Sequence, residues 1–113
     1  MPQKNYVNLN IDQGADFNVE MDLAQDDGTP VDLTGCQLES NFKQSFYSAN
    51  VSGYLQISII NAVNGNAIIS IDAANTSNVE AGTYVYDVYL IDANSIKMRV
   101  LEGKLSIAPR VTV

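Results

Sequence analysis

The sequence predicts an all-β domain, built as a two-sheet antiparallel sandwich of about seven strands, and three observations carry that expectation. Apolar residues recur at every second position along most of the chain, the period of a strand with one buried face, and helical spacing is hard to find. Turn residues break that alternation roughly every 8–12 residues, the spacing at which short strands reverse in a sandwich. At 113 residues, 46% of them apolar, the chain has one domain's length and enough apolar side chains for one core.

The first alternation sets Val7, Leu9 and Ile11 against Asn8, Asn10 and Asp12. After Gln13-Gly14-Ala15 it restarts as Phe17, Val19, Met21 and Leu23 against Asn18, Glu20 and Asp22, giving two strands joined by a glycine turn. Residues 24–30 then collect Asp26, Asp27, Gly28 and Pro30. Asp caps its own backbone and Gly accepts positive φ, so the chain reverses or crosses there. A third strand follows Gly35, with Cys36, Leu38, Ser40 and Phe42 on one side, extending to Phe46, and Gln37, Glu39, Asn41 and Lys43 on the other. Ser45 to Gly53 reads as a loop or irregular edge. Alternation returns from Tyr54 to Ile60. The Asn64-Gly65 pair between two isoleucine-rich runs then predicts a hairpin with a type I′ turn, whose two central residues need φ > 0.

Asp72 to Ala81 lacks the β pattern, and Asp72, Asn75 and Thr76 can cap a single helical or 3₁₀ turn, so a short crossover is placed there. Thr83 to Asp92 carries bulk on both sides, Tyr84, Tyr86, Val88 and Leu90 on one and Val85, Tyr89 and Ile91 on the other, interrupted only by Asp87. That is a central strand, covered on both faces or lying at an oligomer contact. Asp92-Ala93-Asn94-Ser95 makes the next turn, and Ile96, Met98 and Val100 lead back with Lys97 and Arg99 facing water. Gly103 marks a bulge or bend before Leu105 and Ile107, and Pro109 ends the ladder. No linker divides the sequence: residues 1–113 are expected to form a single domain with a short tail over 109–113.

Six Lys plus Arg against thirteen Asp plus Glu give a net charge of −7, and an acidic surface repels phosphate backbones and anionic lipid. Neither nucleic acid nor membrane is therefore expected as a partner, and no apolar run reaches bilayer length. With no His and only Cys36, the chain cannot build a Ser-His-Asp or Cys-His nucleophile system, a His-ligated metal site or an internal disulfide. The N-terminal residues lack a signal-peptide apolar region, so Asn50-Val51-Ser52 and Asn75-Thr76-Ser77 are read as unmodified turn residues. Asp22, Asp26, Asp27 and Asp32 surround a glycine turn without the spacing of a calcium loop. Nothing sets two carboxylates in a cleft for glycoside hydrolysis, and no glycine-rich phosphate loop opens a helix. No enzyme activity, metal or cofactor is expected.

One stretch is more specific than the periodicity. Glu80-Ala81-Gly82-Thr83-Tyr84-Val85-Tyr86 has the acid, Gly and Tyr spacing that resembles the tyrosine corner of immunoglobulin-like sandwiches. The resemblance implies that Tyr84 is a structural corner whose hydroxyl bonds back to nearby backbone. It also implies an immunoglobulin-like fold without the inter-sheet disulfide, since Tyr86 stands where an antibody domain keeps its second Cys. An amphipathic strand that simply contains two Tyr is the competing reading. More broadly, Gln13 to Phe17, Asp27 to Gly35, Ala81 to Asp87, Glu102-Gly103 and Pro109 to Thr112 resemble a small β-sandwich module of tailed-bacteriophage tail, baseplate and neck proteins, including the N-terminal domain of baseplate upper proteins. That resemblance covers nearly the whole chain. A basic residue usual after the third strand's aromatic is matched only by Lys43.

The resemblance implies a virion structural subunit, made in the host cytoplasm, whose partners are other virion structural proteins and identical copies. Candidate contact residues are Phe46, Tyr47 and Tyr54, which flank the Ser/Asn-rich segment 48–53, since exposed aromatics beside polar loops suit protein or sugar surfaces. Alternatively Phe46 and Tyr54 finish the core and Tyr47 alone is exposed. Val111 and Val113, beyond Pro109, either add to a neighbour's sheet edge or fray in solvent. The rival function is a carbohydrate-binding module that attaches a particle or enzyme to a cell surface; a small carboxylate hydrolase would need a cleft with convergent acids.

Overall fold

A computed structural model of the chain describes residues 5–112. Its elements are β1 (Asn5–Tyr6), β2 (Leu9–Asp12), β3 (Phe17–Asp22), β4 (Gln37–Lys43), β5 (Gly53–Asn61), β6 (Asn66–Ile71), α1 (Ala73–Thr76), β7 (Gly82–Ile91) and β8 (Lys97–Ala108). The class is all-β. One curled, mixed sheet runs in the order β1-β8-β7-β4-β5-β6-β3, and β2 also pairs with β8.

The ladder is not wholly antiparallel, because β1 and β2 both run parallel to β8. β2 and β3, the strands that flank the glycine turn at Gly14, do not pair with each other. β3 instead pairs antiparallel with β6, so the chain changes arms of the sheet at Gly14. The arms join in β5, whose Gly53, Tyr54 and Leu55 pair with Phe42, Asn41 and Ser40, while Gln56 and the residues after it pair with β6. Alternation gives each arm an apolar face, and both faces close on one core that includes Ile11, Leu33, Phe42, Ile69, Tyr86 and Leu105. Phe42 is fully buried, packs edge-on against Tyr84 with ring centroids 5.4 Å apart, and covers Gly53 on the opposite strand. Burying such a ring stabilises the fold by about 1.5–3 kcal/mol.

The β5–β6 hairpin is present, but its turn is not type I′. Residues 62–65 connect the strands, and Gly65 alone among them has positive φ, at 69°. A glycine is required there for a second reason: any Cβ would press on the carbonyl oxygens of Leu23 and Val31. Likewise the bulge in β8 falls at Val100, between the pairs Val88 with Leu101 and Tyr89 with Arg99, and not at Gly103. Gly103 stays in register with Tyr86, and a glycine is needed there because the Val7 carbonyl lies where a Cβ would be. That close approach lets the buried Tyr86 hydroxyl donate to the Val7 carbonyl at 2.6 Å.

The crossover before β7 is one helical turn. Asp72 caps it by accepting from the Asn75 N–H at 3.0 Å. Thr76, fully buried, accepts from the Gly14 N–H and donates to the Ala15 carbonyl, each at 3.0 Å, which ties α1 to the turn between β2 and β3. The tail begins against both, the Arg110 N–H donating to Gln13 Oε1 at 3.4 Å and its guanidinium to Ser77 Oγ at the end of α1 at 3.2 Å.

Candidate functional site

Residues directly opposite on paired strands project to the same face. Glu102, Asp87, Asn41 and Tyr54 therefore form one row across β8, β7, β4 and β5, and Arg99, Tyr89 and Glu39 form the next. Their chain neighbours Ser40, Phe42, Tyr86 and Val88 are buried, so these rows stand on the outer face of the central strands. From these rows Glu39, Asn41, Asp87, Tyr89 and Arg99, together with Phe46, Lys43 and Lys97, line a concavity of about 330 Å³.

Arg99 organises this face. Its side chain lies on the outer face, as the alternation predicts, and remains 35% exposed, while the Val100 bulge brings Arg99 and Glu102, three residues apart, onto that one face. Its guanidinium donates to Glu102 at 2.9 Å and to the Tyr89 hydroxyl at 3.1 Å, lies 3.4 Å from Asp87, and sits 5.4 Å from the Tyr89 ring centroid in a cation–π contact. Burial works against the Arg99 charge, but its bonds to Tyr89 and Glu102 more than offset that and raise its pKa. Burial also pushes the Asp87 carboxyl above the usual aspartate value, opposed by Arg99. Arg99 Nε is buried without an acceptor. The Lys43 and Lys97 side chains, in contrast, make no hydrogen bond or close ion pair among the described residues, although the Lys43 charge also acts to lower the Asp87 pKa.

The charge distribution is lopsided. Lys104 lies opposite Val85 and so on this face, which thereby holds four of the six basic side chains and three of the thirteen acidic ones. The face carries +1 and the rest of the sequence −8.

The aromatic residues singled out from sequence divide between two places. Phe46 is 58% exposed and Tyr54 69% exposed, so neither finishes the core; Phe46 lines the concavity, and Tyr54 stands beside Asn41 at its edge. Tyr47 is 98% exposed in the loop between β4 and β5. Val111 is also fully in solvent, and Val113 lies outside the described residues. Tyr84 is buried away from this face and donates 2.6 Å to the Glu80 carbonyl four residues upstream, with burial raising its phenol pKa.

No protein-family model and no curated protein matches the sequence. Among solved structures, the chain is similar to a family 123 glycoside hydrolase from Clostridium perfringens, described in a structural study of glycolipid glycan hydrolysis. The similarity covers 96% of this chain at 13% identity and a TM-score of 0.46. The chain spans about a quarter of that protein, 24% of its length.

Arg99, Tyr89, Asp87 and the two lysines did not stand out as a site in the sequence. The available signal was the strand from Thr83 to Asp92, whose outer side carries Val85, Tyr89 and Ile91 as bulk and Asp87 as a lone charge. Chemically the face offers both charges and both kinds of hydrogen-bonding group. Asp87 and Glu102 share one guanidinium, while Glu39, Asn41, Lys43 and Lys97 offer acceptors and donors to an incoming surface. Among the described residues no group of three or more Cys, Asp or Glu is placed to hold a metal ion, and no helix is long and apolar enough to cross a membrane.

Proposed function

We propose that this chain is a non-enzymatic structural subunit of a tailed-phage particle, in its tail, baseplate or neck, working through contacts with other virion proteins and with identical copies. The observation that carries this reading is the outer face of β4, β7 and β8. Its central strand keeps Val85, Tyr89 and Ile91 half-buried, and no element among the described residues packs over the concavity beside them. Aromatic, amphipathic and Arg-centred surfaces of this kind are what protein interfaces select. The finer fold belongs to the same proposal: an immunoglobulin-like sandwich, supported by the crossing of β5 between arms, the parallel seat of β2 on β8 and the back-bond of Tyr84 to Glu80.

The experiment is to purify intact tailed particles from the source and probe them with an antibody against this chain, by immunogold microscopy and by peptide mass spectrometry. Labelling at one fixed position on each particle is the expected result. Its absence from particles, with the chain left among the unassembled proteins, would end this reading. A carbohydrate-binding role is the second reading, favoured by Phe46 and Tyr54 standing exposed beside Asn41 and Glu39 on one face. A glycan array showing binding that Phe46→Ala and Tyr54→Ala abolish would select it.

A further inference from the structure

We propose that copies of this chain dock head to tail, the acidic turn at residues 24–30 of one copy seating in the concave outer face of β4, β7 and β8 of the next. The inference rests on the assembly reading and names a first partner for that face.

The acids that complement the face are on the chain itself. Asp26 and Asp27 are exposed at the tip of a turn whose Gly28, at φ 89°, would have no atom within 4 Å of an added Cβ, so the tip stands clear of the fold. The turn is also preformed. The Gln25 N–H donates to the Thr29 carbonyl at 2.7 Å, and Thr29 donates to Asp27 Oδ1 from its N–H at 3.0 Å and from its hydroxyl at 2.7 Å. The base of the turn is closed by a bridge from Ala24 to Pro30 and fixed to the core side by the Leu23 N–H on the Gly65 carbonyl at 2.9 Å. A preformed tip loses little conformational freedom on docking. The Thr29 bonds also hold the Asp27 carboxyl below the usual range, so it remains charged.

The receiving face supplies the opposite charge. Lys43 and Lys97 bracket the concavity near its two ends, opposite Val85 and Ile91 of β7, six residues or roughly 20 Å apart. The turn follows β3, on the other arm of the sheet from β7 and β8, so the contact joins two copies rather than folding back on one. It is heterologous and therefore either closes a ring or propagates. Opposite local charge also explains how a chain of net charge −7 approaches itself.

The test uses two neutralised variants of the whole chain, K43Q/K97Q and D26N/D27N, each with one docking surface spoiled and the other intact; the amide that D27N introduces keeps a carbonyl oxygen as acceptor for Thr29. By size-exclusion chromatography with light scattering at low salt, the unaltered chain should associate and each variant alone should remain monomeric. An equimolar mixture should form a one-to-one pair that grows no further, because the surfaces left over are both spoiled. An unaltered chain that is monomeric throughout, or variants that each associate as the parent does, would overturn the proposal. A monomeric chain that is nevertheless found in purified particles would remove the self-docking alone and leave the assembly reading standing.

Discussion

Replacing Tyr86 by Phe separates the two things its hydroxyl does. At 2% exposure the phenol sits in the core, and its hydrogen bond of 2.6 Å to the Val7 carbonyl fastens the segment between β1 and β2 across Gly103. Losing that bond at neutral pH should cost about 1–2 kcal/mol, the net worth of one buried hydrogen bond plus part of the penalty for the unmatched carbonyl. Burial also pushes the Tyr86 pKa from 10.0 to about 12. A phenol that holds its proton more tightly in the folded state contributes stability that is complete below the unfolded pKa and lost as the pH rises through the folded one. Over that two-unit window the unaltered chain should lose about 2–3 kcal/mol that Tyr86→Phe does not lose. The two stability curves should therefore cross near about pH 11. The assay is urea denaturation followed by far-ultraviolet circular dichroism at a series of pH values. Every other titrating group is common to both chains, so the difference between them isolates Tyr86. A difference that stays constant from about pH 9 to about pH 12 would refute the reasoning.

Three further substitutions probe the fold by the same urea assay. Tyr84→Phe removes the back-bond to Glu80 and should cost about 1 kcal/mol; a neutral result removes the corner assignment. Thr76→Val keeps the shape of a fully buried side chain but strands the Gly14 N–H and the Ala15 carbonyl, and should cost about 1–3 kcal/mol, with faster amide exchange at Gly14. Gly103→Ala drives a methyl against the Val7 carbonyl and should cost about 1–3 kcal/mol, with loss of amide protection confined first to residues 5–7. Unchanged protection there would show that β1 does not depend on this approach.

Strand positions were legible in the sequence because period-two alternation is a local property. β4, β7 and the β5–β6 hairpin need only their own residues to be recognised, and the Asp72 cap is read from one side chain. What escaped depends on residues distant in the chain. Nothing near Gly103 reveals that Val7, 96 positions earlier, lies on it, so an interrupted strand looks like a bulge. Nothing near Arg99 reveals that Val100 bulges and so sets Arg99 and Glu102 on one face beside Asp87. The parallel seating of β1 and β2 on β8 joins opposite ends of the chain, and alternation is blind to strand direction. The candidate face was half legible. Bulk on both sides of β7 pointed to a second cover, yet Lys43 and Lys97 read as ordinary outward charges until register brought them around one concavity.

The most direct test of this functional account is the sign of the salt effect on self-association, measured by sedimentation equilibrium on the unaltered chain. The Debye length shortens from roughly 30 Å at about 10 mM salt to roughly 3 Å at about 1 M. If the basic face receives the acidic turn, screening weakens the contact and the mean mass falls as salt is added. If copies meet through apolar patches while their net charge of −7 pushes them apart, the mean mass rises with salt, and that result would contradict complementary charge as the basis of the contact.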